Sequence, residues 1–212
     1  MPLLDEVDGL ITRRRLLTHP FYTKWVAGTL PKGSIQEYAR QYFAFESSFP
    51  RFLSAIHSRC EDPAVRARIL DNLWDEEHGE DNHRELWLRF AEGVGVARDD
   101  VLGSERNDAT AALVDTYREA SGNPPAGLAA IHAYERQVPE VASAKIAGLR
   151  EHYGIDDART LGFWEVHREL DVEHAEAERE ILEDLDPGLV LEGTSEALEA
   201  WWRFLDAVDV PA

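Results

Sequence analysis

Residues 160–186 read TLGFWEVHRELDVEHAEAEREILEDLD, a stretch closed by Pro187. It reads as one long helix. It carries His167, Asp171 and His174 at offsets of 0, 4 and 7. At 100° per residue the three directions fall within about 60° of one another, so the side chains share one face. Residues 72–87, NLWDEEHGEDNHRELW, repeat those offsets with Glu76, Glu80 and His83. Glu80-x-x-His83 is itself a ligand spacing of helical di-metal proteins, so Glu76 and Glu80 both stand as candidates. A further acid, Glu135, lies in the run Ile131-His132-Ala133-Tyr134-Glu135.

Carboxylates and imidazoles projecting inward from several helices are how a bundle builds a dinuclear metal site. Burying such carboxylates is costly unless cations accompany them. Two divalent ions bring four positive charges. Glu76, Glu135 and Asp171 bring three negative ones, and neutral His83, His167 and His174 fill the remaining positions. Mixed nitrogen and oxygen ligation suits iron or manganese, and open positions permit oxygen binding.

Outward from these stretches the chain reads as helix almost throughout, with no period-2 run between hairpin turns. The first helix covers residues 3–17 and His19-Pro20 breaks it. Ser34-Ile35-Gln36-Glu37 is a capping box that opens a second helix to Cys60, with a kink expected at Pro50. Asp62-Pro63 opens a third that ends near Gly93 or Gly95. A fourth covers 108–120, and a fifth follows Gly122-Asn123-Pro124-Pro125 and stops at Gly154. The seventh opens at Thr194 or Ser195 and carries Leu198, Trp201, Trp202 and Leu205. About seven helices with short connections predict an all-α bundle, taken as a single domain over 1–212.

Composition narrows the partners. The 212 residues hold 22 Lys+Arg against 41 Asp+Glu, a net charge of −19. Phosphate backbones and anionic lipids both require basic surfaces, so neither nucleic acid nor membrane is expected as a partner. The start, MPLLDEVDGLITRRR, mixes its charges and has no long apolar run, so a cytoplasmic protein is expected. Cys60 is the single cysteine, which rules out an internal disulfide and a cysteine-based zinc site. Only three lysines occur, Lys24, Lys32 and Lys145. The aromatic face of the last helix leaves open both a homodimer and a capped core.

Several segments carry a resemblance. His19-Pro20-Phe21-Tyr22-x-x-Trp25 with Gly28-Thr29-Leu30-Pro31, then Tyr38-x-x-Gln41-Tyr42, then Asn72-Leu73-x-x-Glu76-Glu77-x-Gly79-x-x-Asn82-His83-x-x-Leu86-Trp87 are similar to motifs of the TenA/PqqC-like group. The resemblance spans about residues 16–185 and implies the haem-oxygenase-like helical fold. Its ligand pattern resembles the di-metal oxidases and oxygenases of that group. That implies metal ligands at Glu76, His83, Glu135, His167, Asp171 and His174, with Glu76 preferred to Glu80.

The branch that the chain most resembles makes 4-aminobenzoate for folate synthesis by sacrificing its own residues. The resemblance implies Tyr22 as source of the ring, Tyr134 as a neighbouring redox-active tyrosine and Lys145 as source of the amine. It implies two divalent ions (Fe/Fe or Fe/Mn), dioxygen as co-substrate and an external reductant. Phe43, Phe45, Phe49 and Phe52 offer an apolar wall, or simply core packing. Three readings compete: a di-metal oxygenase acting on an external fatty acid or amino-acid derivative, a metal-free PqqC-like oxidase, and a non-enzymatic interaction protein. A thiaminase-like hydrolase needs a nucleophilic cysteine in the cavity, and Cys60 at a helix end is poorly placed for that.

Overall fold

The computed structural model describes residues 2–210, except for the side chains of residues 169–174 and 177. The described residues form α-helices and one short 3-10 turn, with no strand. Helix α1 (Leu3–Arg13) buries Val7 and Ile11. After the 3-10 turn Leu16–Thr18, the imidazole of His19 accepts a hydrogen bond from Phe21 N at 3.1 Å and caps α2 (Pro20–Val26).

Helix α3 (Lys32–Glu46) starts two residues before the expected capping box. Pro31 opens it without a side-chain cap. Ser34 Oγ instead donates to the Val210 carbonyl at 2.9 Å, tying the helix start to the far end of the chain. Where one kinked helix was expected, the chain breaks at Ser47–Ser48. Pro50 lies in the first turn of α4 (Phe49–Arg59), where a missing N–H costs nothing.

The expected third helix is likewise two. Helix α5 (Pro63–Glu77) is capped by Asp62, whose carboxylate accepts from Ala64 N at 2.7 Å. It ends before Gly79, which adopts φ +84°. That left-handed backbone suits glycine alone and reverses the chain. Asn82 then caps α6 (His83–Gly93) through Glu85 N at 3.0 Å. Helices α7 (Arg98–Leu102) and α8 (Asp108–Ala120) follow. The expected fifth helix divides into α9 (Pro124–Glu135) and α10 (Val138–Tyr153), with Pro139 in the first turn of α10. Helices α11 (Ala158–Leu182) and α12 (Pro187–Val208) complete the order. Helix α12 begins at Pro187, a full turn and more before Thr194.

Helix α12 packs along α9 and α8, α10 lies against α11, and α11 also touches α6, α9 and α5. The close pairing of α12 with α9 depends on Gly193. A Cβ there would stand 2.3 Å from the Ala126 carbonyl oxygen. Trp25, Trp87, Trp164, Trp201, Tyr38 and Tyr42 are among the largest fully buried side chains, so much of the core is aromatic. Trp201 and Leu205 are spent inside the chain, while Trp202 is half-buried with its edge against His19, ring centroids 4.8 Å apart. No described helix is long and apolar enough to cross a membrane.

Candidate metal centre

The break between α5 and α6 builds the first part of the site. Glu76 ends α5, His83 begins α6, and the reversal at Gly79 folds one onto the other. His83 Nδ1 stands 2.9 Å from Glu76 Oε1, and both residues are buried. Glu80 falls in the exposed connection and points to solvent, so of the two candidate acids only Glu76 enters the cluster.

His167 comes from α11. Its Nδ1–H donates to the Phe163 carbonyl at 2.7 Å, so the lone pair of the ring lies on Nε2. The His83 and His167 rings lie 4.3 Å apart. Glu46, on the last turn of α3, joins them: one donor atom each from Glu46, His83 and His167 lie within 4.8 Å of one another. Asp171 and His174 follow on α11 and lie outside the described side chains.

Glu135 ends α9 and is buried. Its Oε1 accepts from Asn72 Nδ2 at 3.0 Å. Glu178 on α11 is buried beside it, and His132 Nδ1 lies 3.7 Å from Glu178 Oε2. Burial, reinforced by the neighbouring Glu178 carboxyl, holds Glu135 well above the usual carboxylate range. Burial pushes Glu178 up to about 8. It raises Glu46 too, with Glu76 adding to the effect. Burial lowers His132 to about 4.

Two of these acids were missed in the sequence. Glu178 lies eleven residues after His167, about 20° round the helix, so it continues the same stripe and was legible there. Glu46 stands among Phe45, Phe49 and Phe52, the one acid in an aromatic run. That isolation was its only signal.

The donor set fits metal ions. Glu46 Oε1, Glu76 Oε2, Glu135 Oε2 and Glu178 Oε2 are buried with no hydrogen-bond partner among the described residues. Four buried carboxylates with orphaned oxygens require either protons or cations. Imidazole and carboxylate donors together match divalent iron and manganese. Glu76, His83, Glu135 and His167 would hold such ions, with Glu46 within reach of the two histidines.

The residues expected to react lie among the aromatic side chains of the core. Phe163 packs on His167 with ring centroids 4.0 Å apart, and Trp164 lies edge-on to Phe163 at 4.7 Å. Lys145 Nζ sits 3.7 Å above the Trp164 ring and 4.1 Å from that of Tyr38, to whose hydroxyl it donates a hydrogen bond. Lys145 is only 1% exposed, which removes the option of a solvated surface lysine. Burial drives its pKa well below the ordinary lysine value. Its nitrogen is 5.2 Å from the Tyr22 ring centroid. Tyr22 is buried beside Tyr38, and burial raises its phenol. Tyr134 stacks on Trp201 at 4.7 Å and 11°, and its hydroxyl meets that of Tyr42. Phe45, Phe49 and Phe52 pack in the core, whereas Phe43 is half-buried beneath Arg84. Cys60 is half-buried at the end of α4, remote in sequence and fold from these groups.

Comparisons with known proteins agree with this chemistry. A family model described as an iron-containing redox enzyme of the haem-oxygenase type matches residues 36–209. The 4-aminobenzoate synthase of Chlamydia muridarum is 41% identical over 217 residues, covering 100% of this chain and 92% of that protein. The 4-aminobenzoate synthase of Nitrosomonas europaea is 39% identical over 220 residues, covering 96% and 89%. A TenA homologue from Pseudomonas syringae superposes with a TM-score of 0.81 at 14% identity, over 97% of this chain and 90% of that one. The chain therefore belongs to the haem-oxygenase-like family of iron-containing redox enzymes.

Proposed function

We propose that this chain makes 4-aminobenzoate in an oxygen-dependent reaction, taking the ring from its own Tyr22 and the amine from Lys145. The observation that carries the reading is the burial of Lys145 in an aromatic cage, with its nitrogen 5.2 Å from the Tyr22 ring. The relatives named 4-aminobenzoate synthase support the product.

Each residue has a task. An amine acts as a nucleophile only when neutral, and water-free burial keeps Lys145 in that form. Tyr38 accepts a hydrogen bond from the amine and lies beside the Tyr22 phenol, which keeps the two together. The packed rings of Trp25, Tyr38 and Trp164 around them exclude water, which protects an oxidised ring from side reactions. Tyr134, next to Glu135, shares a hydrogen bond with the Tyr42 hydroxyl, and its task is to lose a proton together with an electron. Two divalent ions, Fe/Fe or Fe/Mn, would be held by Glu76, His83, Glu135 and His167, with Asp171 and His174 as the remaining proposed ligands. When bound, they supply the oxidising power drawn from dioxygen and an external reductant.

The test is direct. The iron-loaded chain is given reductant and oxygen, then assayed for 4-aminobenzoate and for a mass loss that maps to Tyr22. Product from Tyr22→Phe or Lys145→Arg, or many turnovers on an added substrate with Tyr22 intact, contradicts the proposal.

A further inference from the structure

A second pocket lies away from the metal centre, between the start of α4 and α8. Ser48, Arg51, Phe52, Ala55, Arg106 and Val114 line it, together with Arg118 and Ser121. Three arginines thus line one cavity of about 200 Å³ in a chain whose net charge is −19. Arg118 is paired with Asp115. Arg51 and Arg106 have no carboxylate partner among the described residues. Elsewhere the exposed arginines of this acidic chain mostly meet acids, as Arg98 meets Glu85 and Arg159 meets Glu92. Two unneutralised guanidinium groups at one cavity make a site for a carboxylate, which an arginine fork grips through paired N–H donors.

The rest of the lining narrows the ligand. Phe52, Ala55 and Val114 supply an apolar floor, and Phe52 and Val114 are buried. A guanidinium also stacks on a flat ring. The volume is below the roughly 300–1,000 Å³ of pockets that take drug-sized ligands, which selects a single ring. Ser48 and Ser121 have already donated their hydroxyl protons, to the Ala44 and Tyr117 carbonyls at 2.7 and 2.6 Å. Their oxygens can now only accept. An amine N–H on the ligand would satisfy them.

We infer that this pocket binds an amino-substituted aryl carboxylate. The proposed product of the chain belongs to that class. Its identification as the natural occupant rests on the proposed reaction, whereas the binding site does not.

The experiment keeps the two apart. Full-length protein carrying Tyr22→Phe, which on the proposed function forms no product of its own, is dialysed to equilibrium against labelled 4-aminobenzoate. Benzoate and inorganic phosphate serve as competitors. The expected result is one saturable site, with benzoate weaker and phosphate not competing. The double variant Arg51→Gln/Arg106→Gln should weaken binding at least tenfold. Ala55→Trp should fill the half-buried end of the cavity and abolish it. Metal content and melting temperature, measured on the same samples, should stay unchanged. Absence of saturable binding overturns the inference. So does an affinity that both variants leave intact, or competition by phosphate or benzoate as strong as by 4-aminobenzoate. Product formation by the unmodified chain is assayed separately, so a failed reaction and a failed pocket give different results.

Discussion

Replacing Lys145 with methionine should make the protein more stable while abolishing 4-aminobenzoate formation. Burying an ammonium costs several kcal/mol. The aromatic cage returns about 2 kcal/mol at best through cation–π contacts, and among the described residues no carboxylate approaches the nitrogen. Desolvation therefore wins, and the folded chain holds a neutral amine. The unfolded chain binds a proton that the folded chain does not, so stability rises with pH between the folded pKa and about 10.4. The slope for one proton is about 1.36 kcal/mol per pH unit. A single unit of that penalty equals about 3–5 °C in melting temperature for a chain of this size. Methionine is of similar length and carries no proton, so it escapes the penalty and loses only the bond to Tyr38, worth about 1 kcal/mol. Thermal and urea unfolding of the metal-free pair from pH 6 to 10.5 should show Lys145→Met more stable at neutral pH. The advantage should shrink on raising the pH and reverse slightly above about pH 10. A variant that is less stable at pH 7, or a difference that does not change with pH, would refute the reasoning. It would show that the cage holds a cation.

Other outcomes follow from the same geometry. In the metal-free chain Glu178 is raised to about 8, so its contribution to stability is fully present below about pH 4.3 and lost as the pH rises through 8. Glu178→Gln should flatten that decline in pH-dependent melting curves. Glu46→Gln keeps the shape of a buried acid whose Oε1 has no partner. The metal-free variant should therefore melt within a few degrees of the parent, while elemental analysis shows weaker metal retention. Gly193→Ala pushes a methyl group against the α9 backbone at 2.3 Å. It should destabilise by about 1–3 kcal/mol, or roughly 2–12 °C in calorimetry, without altering the metal donors.

Much of this architecture is legible in the chain because its signals are local. The cap at Asp62, the prolines that open α9, and Gly154 with φ +68° all act within a turn or two of themselves. The all-α fold follows from them. What is hidden depends on distant partners. The Ser34 box is unused because the Val210 carbonyl, at the far end of the chain, claims its hydroxyl. Continuous periodicity across 63–93 reads as one helix, since only a glycine marks the reversal that brings His83 back to Glu76. Glu46 enters the cluster by the packing of α3 on α6, which no spacing rule encodes. The aromatic seat of Lys145 draws on α2, α3, α10 and α11, so the rarity of lysine and the family resemblance were its hints.

Metal quantification after anaerobic loading with divalent iron, alone and with manganese, tests the central claim most directly. The account predicts two ions per chain in the parent and a marked loss in Glu76→Gln and Glu135→Gln, with helical content unchanged. Fewer than one ion per chain under full supply, or two ions retained by both variants, would contradict it.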